Sequence, residues 1–142
     1  MVLALRGADE TVRSELRSAG WDIVGARTLD RAGAYRRFIR SSAGEVSVAK
    51  QQYTAPRSGW ISDRTVCYLA AGRPAIVERT GISGVPVGEG LLDFADTADA
   101  AAAIETVRSD YDRHATAARE LAAEHFAADR VLGLLLSRAG LA

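Results

Sequence analysis

The sequence predicts an α/β fold, with a parallel sheet covered by helices on both faces and a helical C-terminal third. Short apolar runs alternate with stretches of helical periodicity up to residue 108. Buried strands joined by helical crossovers are typical of parallel sheets. The chain has 142 residues, of which 48% are hydrophobic and 25% charged, and this predicts one globular domain spanning residues 1–142.

Each element has a local signal. Strands are predicted where short apolar or β-branched runs occur, at residues 2–5, 21–26, 45–49, 74–77 and 91–94. Helices are predicted at residues 9–20, 30–42, 62–72, 97–108, 110–126 and 128–139. Their expected first residues or caps are polar, namely Asp9, Asp30, Ser62 or Asp63, Thr97 and Asp110. Residues 51–59 and 80–90 are rich in Gly, Pro and polar side chains, and we expect loops there.

Composition excludes several classes of function. The 18 basic and 18 acidic residues balance, so we expect neither nucleic-acid binding nor a polybasic membrane anchor. The single cysteine excludes a disulfide framework and a multi-cysteine zinc site. No apolar run is long enough for a membrane span, and the start lacks the pattern of a signal peptide. We therefore expect a cytoplasmic location.

Three glycine-containing loops are predicted at the carboxyl ends of strands, where open α/β sheets bind ligands. They cover residues 50–62, 78–84 and 88–90, and the first includes a helix start. Glycine and small hydroxyl residues let backbone N–H groups approach an anion, and a helix start adds positive potential. This pattern favours a phosphate-bearing ligand; the alternative is that the loops are simply turns.

The order of these motifs resembles the C-terminal, donor-binding half of bacterial GT-B glycosyltransferases. The helix end and strand Ala-Ala-Gly-Arg-Pro-Ala-Ile-Val at 70–77, followed by Thr80-Gly81, are similar to that family's helix, Gly-x-Pro strand and small-residue loop. Gly-Glu-Gly-Leu-Leu at 88–92 resembles the segment that follows, and residues 35–50 resemble an upstream segment of a bacterial subgroup. The resemblance covers roughly residues 30–138.

The resemblance implies a Rossmann-like domain that binds a nucleotide-diphosphate sugar as substrate, with no metal and no resident cofactor. The catalytic residues stay unknown. Lys50, Arg57 and Arg64 are the cationic candidates for stabilising the phosphate leaving group. The donor-binding residues implied are Arg57, Ser58, Gly59, Asp63, Arg64, Thr80, Gly81, Ile82, Ser83 and Glu89.

The sequence departs from the family in two ways. Many such enzymes hold the ribose with a Glu where this chain has Cys67, and Asp63, four residues earlier, is the candidate replacement. The acceptor domain of a complete enzyme and the donor domain's first strand and helix have no counterpart here. A fragment, a degenerate domain and half of a split assembly all stay open, with an acceptor-domain protein or a second copy as partner. The alternative function is a non-catalytic interaction module built on this half-scaffold.

Several candidates have an ordinary structural explanation as well. Asp63 is expected either to contact the ligand or simply to stabilise the start of a helix through its negative charge. Cys67 is expected to be a small buried hydrophobic residue. Glu89 is either a contact to a sugar hydroxyl or a polar loop tip. Trp60 is expected in the core or an interface more than stacked on a ligand ring.

Overall fold

The computed structural model describes residues 1–5 and 7–141, and these form two compact units, Met1–Ser41 and Ser42–Ala142. Both contain parallel strands joined by helices, so the predicted Rossmann-like α/β class is confirmed. The expectation of a single domain stays a prediction. No helix in the described part of the chain has the length and apolar character needed to cross a membrane.

The N-terminal unit is a βαβ motif followed by helical segments. Strands β1 (Val2–Leu5) and β2 (Asp22–Gly25) pair in parallel, with helix α1 (Glu10–Ser18) between them. The Asp9 carboxylate caps α1 by accepting from the Val12 N–H at 3.0 Å. A 3₁₀ turn (Ala26–Leu29) and helix α2 (Ala32–Ser41) complete the unit.

The C-terminal unit is built on a three-stranded parallel sheet of order β3-β4-β5. The strands are β3 (Glu45–Ser47), β4 (Ala75–Glu78) and β5 (Leu91–Phe94), and Val46 lies opposite Ile76, which lies opposite Leu92. The helices are α3 (Gln51–Thr54), α4 (Asp63–Ala70), α5 (Thr97–Ser109), α6 (Tyr111–His125) and α7 (Ala128–Arg138).

Helices cover both faces of this sheet, as predicted. On one face, α4 and α6 pack against Ala75, Val77 and Leu91. On the other face, α5 packs against Ile76, Leu92 and Phe94. This alternation follows from strand geometry, since successive side chains point to opposite faces. Strand β4 has three consecutive buried apolar residues, Ala75, Ile76 and Val77, and therefore needs a helix on each side.

Two local predictions are wrong. Residues 51–59 were expected to form only a loop, but they begin with the short helix α3. Asp96, not Thr97, is the N-cap of α5, because the Asp96 carboxylate accepts from the Asp99 N–H at 2.9 Å. Both residue types are good N-caps, and the preceding aspartate takes the position.

Candidate functional site

Two of the predicted loops lie together at the carboxyl end of the sheet. The Gly59 N–H donates to the Thr80 carbonyl at 2.8 Å, and the Thr80 hydroxyl donates to the Trp60 carbonyl at 2.8 Å. Thr80 is buried, so both bonds are shielded from water. The segment before α4 is therefore fixed to the loop that follows β4.

Glycine is required where these loops touch. Gly81 has φ +81°, and a Cβ on it would lie 3.0 Å from both the carbonyl oxygen and the Cβ of Arg57. Other residues rarely adopt this left-handed backbone, and the close contact leaves no room for their side chain. Gly81 thereby holds the backbone of Arg57 against the end of β4.

An open cleft of about 240 Å³ lies beside this contact. All three strands contribute to it through the residues at or after their carboxyl ends. The lining residues are Thr54 and Arg57 after β3, Glu78 and Arg79 at the end of β4, and Phe94 and Ala95 at the end of β5. This is the end of a parallel sheet at which α/β proteins bind ligands.

The two arginines of the cleft differ in their partners. Arg79 forms a bidentate ion pair with Asp93, with an Nε–Oδ2 distance of 3.2 Å and an Nη2–Oδ1 distance of 3.0 Å. Hydrogen bonding to Asp93 raises the pKa of Arg79 above its usual value. The Arg57 side chain is exposed and makes no hydrogen bond or ion pair with any residue in the described ranges. Arg57 is thus the guanidinium that is free to meet a ligand.

The backbone of Arg57 is also unusual. Among the described residues it is the non-glycine residue with positive φ, at +51°. Such a conformation costs a residue with a Cβ about 1–2 kcal/mol and is common just after the end of a helix. The Arg57 N–H donates to the Thr54 carbonyl and the Ser58 N–H donates to the Tyr53 carbonyl, both at 3.1 Å, which is the usual pattern of a helix that ends on a left-handed residue, so Arg57 closes α3.

Ser58 and Trp60, which follow Arg57 in the chain, both contact Tyr53 of helix α3. The Ser58 hydroxyl donates to the Tyr53 carbonyl at 3.0 Å, and the rings of Tyr53 and Trp60 stack with centroids 4.6 Å apart and planes 5° from parallel. Ile82 packs against the apolar core, whereas Ser83 is exposed. These contacts give Ser58, Trp60 and Ile82 structural partners within the unit.

Arg64 is engaged in an internal ion pair. Its Nε donates to the carboxylate of Glu45, which is only 6% exposed, and its Nη2 donates to the Ser47 hydroxyl at 2.8 Å. Arg64 therefore links α4 to β3, and a ligand would have to compete with a buried carboxylate for it.

Asp63 and Cys67 lie on the exposed side of α4. The Asp63 carboxylate accepts from the Arg64 N–H at 2.9 Å in the first turn of α4, beside the N-cap Ser62. The prediction of a buried Cys67 is wrong, since this thiol is exposed. The helix turns its apolar stripe, with Thr65, Tyr68 and Leu69, toward the sheet, and position 67 falls outside that stripe.

Glu89 does not join the cleft. Residues 88–90 precede β5, and the Gly90 carbonyl accepts from the Ala75 N–H at the start of β4, so this loop lies at the amino end of the sheet. The expectation that it leaves a carboxyl end is wrong. Glu89 pairs there with Arg113, and this hydrogen bond lowers the pKa of the Glu89 carboxyl group. The nearby Gly90 N–H donates to Nδ1 of the buried His114 at 3.3 Å.

The sequence placed Glu78 in the second candidate loop, at residues 78–84, but did not single it out as a binding residue. One of its carboxylate oxygens, Oε2, accepts from the Ala49 N–H at 2.9 Å. A carboxylate at the last position of a buried strand was the available signal, because that position opens directly onto the ligand end of the sheet.

Comparison with known proteins adds no family to this geometry. No family model, curated protein or solved structure matches the chain. Within the described ranges, no group of three or more His, Cys, Asp or Glu side chains is placed to hold a metal ion.

Proposed function

We propose that the C-terminal unit binds the phosphate and sugar portion of a nucleotide-diphosphate sugar, as the donor half of a GT-B-like glycosyltransferase. The observation that carries this proposal is the guanidinium of Arg57, which lines the cleft and has no partner among the described residues. An unpaired arginine at the carboxyl ends of parallel strands suits a phosphate, which it can bind through two parallel hydrogen bonds.

The charge of Arg57 fits the chemistry of sugar transfer. Negative charge develops on the leaving diphosphate as the glycosidic bond to it breaks. A cation held in place by the protein stabilises this charge without reorganising during the reaction. The backbone contact with Gly81 places the start of the Arg57 side chain at the cleft, and the exposed guanidinium is then ordered by the phosphate that it binds.

The size of the cleft favours a shared site. Its volume of about 240 Å³ is below the range typical of complete small-molecule pockets, about 300–1,000 Å³. It has room for a phosphate and a sugar ring but leaves the rest of the donor, and any acceptor, outside. We therefore propose that catalysis requires an acceptor domain, and that the protein works in the cytoplasm, as the sequence predicts.

The test is binding of inorganic pyrophosphate and of a panel of uridine, adenosine and guanosine diphosphate sugars to the full chain. Binding is followed by the fluorescence of Trp60 in a Trp21→Phe background, which leaves Trp60 as the single tryptophan of the chain. Arg57→Ala should weaken binding about tenfold or more, since it removes a charge-assisted hydrogen-bond donor.

Arg113→Ala is the matched control. It removes the same charge from the amino end of the sheet, where Arg113 pairs with Glu89. Binding to the control should equal binding to the parent protein. The proposal fails if none of the ligands binds at millimolar concentration, or if the two arginine variants lose equal affinity.

An interaction module is the second candidate function, and helix α7 favours it. Five apolar side chains of this helix are 42–60% exposed, namely Val131, Leu132, Leu134, Leu135 and Leu136. Clustered exposed apolar residues often mark contact surfaces. A stable oligomer in analytical ultracentrifugation that dissociates in Leu132→Glu, in a protein that binds no nucleotide sugar, would favour this function over the first.

A further inference from the structure

The cleft contains a carboxylate that a simple phosphate site does not need. Glu78 lines the same open space as Arg57. A negative charge there repels a bare polyanion and partly offsets the attraction of the arginine. The negative charge of Glu78 therefore affects which ligands can bind in the cleft.

The structural role of Glu78 accounts for one of its two oxygens. Oε2 accepts from the Ala49 N–H at 2.9 Å and holds the chain just after β3. A glutamine could make the same bond through its amide oxygen. The second oxygen, Oε1, makes no hydrogen bond with the residues that the structure describes. The tether to Ala49 thus fixes the carboxylate and leaves one oxygen for a ligand.

Neither arginine of the cleft neutralises this carboxylate. Arg79 is paired with Asp93, and no ion pair joins Arg57 to Glu78 in the described ranges. The cleft is therefore lined by a cation and an anion that do not form an ion pair with each other. Phe94 and Ala95 add apolar surface to the same wall.

We propose that Glu78 determines specificity in this cleft by accepting hydrogen bonds from sugar hydroxyls next to the phosphate held by Arg57. This inference rests on the proposed function and names its ligand class, a glycosyl or ribosyl phosphate in preference to a bare phosphate. Hydroxyl groups donate well to a carboxylate, and the C–H faces of a sugar suit an apolar wall. Glu78 then favours a phosphate that carries a sugar and disfavours a bare polyphosphate.

The experiment compares Glu78→Gln with the parent protein for three probes. Glucose 1-phosphate and methyl phosphate carry the same monoester phosphate with and without hydroxyls, and inorganic pyrophosphate is the bare polyanion. The parent protein should bind glucose 1-phosphate more tightly than methyl phosphate. Glu78→Gln should lose about tenfold in affinity for glucose 1-phosphate, as expected for one charge-assisted hydrogen bond. Its affinity for pyrophosphate should be unchanged or higher.

Glu78→Asp is the second variant. It keeps the charge but shortens the side chain by one methylene, so it should lose glucose 1-phosphate without gaining pyrophosphate. Equal changes for all three probes in either variant would show a merely structural role and overturn the inference. Unchanged binding of glucose 1-phosphate in Glu78→Gln would overturn it as well.

The two proposals fail in different ways. If the parent protein binds pyrophosphate through Arg57 but Glu78→Gln leaves the preference among the probes unchanged, only the role of Glu78 is refuted. If the parent protein binds none of the three probes, the phosphate site itself is refuted, and the role of Glu78 falls with it.

Discussion

Substitution of Gly81 by alanine tests the contact that positions Arg57. The backbone at Gly81 has φ +81°, which costs a residue with a Cβ about 1–2 kcal/mol. Alanine also lowers the conformational entropy of the unfolded chain, and this stabilises the folded protein by about 0.4–1 kcal/mol. The new Cβ would lie 3.0 Å from the Arg57 carbonyl oxygen, and relieving this overlap adds about 1 kcal/mol or more. We expect Gly81→Ala to lower the free energy of unfolding by about 2 kcal/mol.

Gly84→Ala is the matched control, because Gly84 has φ +80° but no atom within 4 Å of an added Cβ. Gly84→Ala should lower the free energy of unfolding by only about 1 kcal/mol. This is the cost of the left-handed backbone minus the stabilisation that comes from the less flexible unfolded chain. Urea unfolding followed by Trp60 fluorescence measures both variants, and pyrophosphate binding should weaken only in Gly81→Ala. Equal losses of stability in the two variants would refute the idea that Gly81 supports Arg57.

Three further outcomes test other parts of the structure. Arg57→Gly removes a left-handed backbone cost of about 1–2 kcal/mol but loses about 0.4–1 kcal/mol because glycine loosens the unfolded chain, so it should raise the melting temperature by about 2 °C while it abolishes pyrophosphate binding; a lower melting temperature would contradict this assignment. Arg113 lowers the pKa of Glu89 below 4.5, so the stability from this pair is fully present above pH 4.5 and is lost as the pH falls through the lowered pKa. Thermal melts of Arg113→Ala and the parent protein should therefore converge in acid, and a constant difference from pH 7 to pH 3 would contradict this assignment. Gly90→Ala should cost about 4 kcal/mol or more and prevent folding, because its Cβ would lie 2.3 Å from the backbone nitrogen of Ala118, whereas circular dichroism should show Gly88→Ala folded.

Most secondary structure could be predicted from local patterns, and the differences arise at ends that distant residues determine. Strand β5 matches its prediction at both ends, because its apolar run is bounded by Gly90 and by polar residues. Strand β3 was expected to reach residue 49 but ends at Ser47. The Ala49 N–H bonds to the side chain of Glu78 instead of to a strand, and this partner is 29 residues away.

The candidate site was predictable only in part for the same reason. The glycines at 59 and 81 indicated the convergence of two loops correctly. Glu89 was misplaced because it was grouped with loops that follow strands, although it precedes one. The ion pair of Arg64 with Glu45 depends on contacts between elements, and so does the fact that Arg57 has no partner among the described residues. No spacing rule along the chain distinguishes these two arginines.

The exposed thiol of Cys67 offers a practical consequence. It is the only cysteine in the sequence and lies on helix α4, so a maleimide dye or spin label attaches at one known position without any mutation. In the Trp21→Phe background, energy transfer from Trp60 to such a dye would report on movement between α4 and the segment before it. The same label would reveal an approaching acceptor domain by its quenching or broadening.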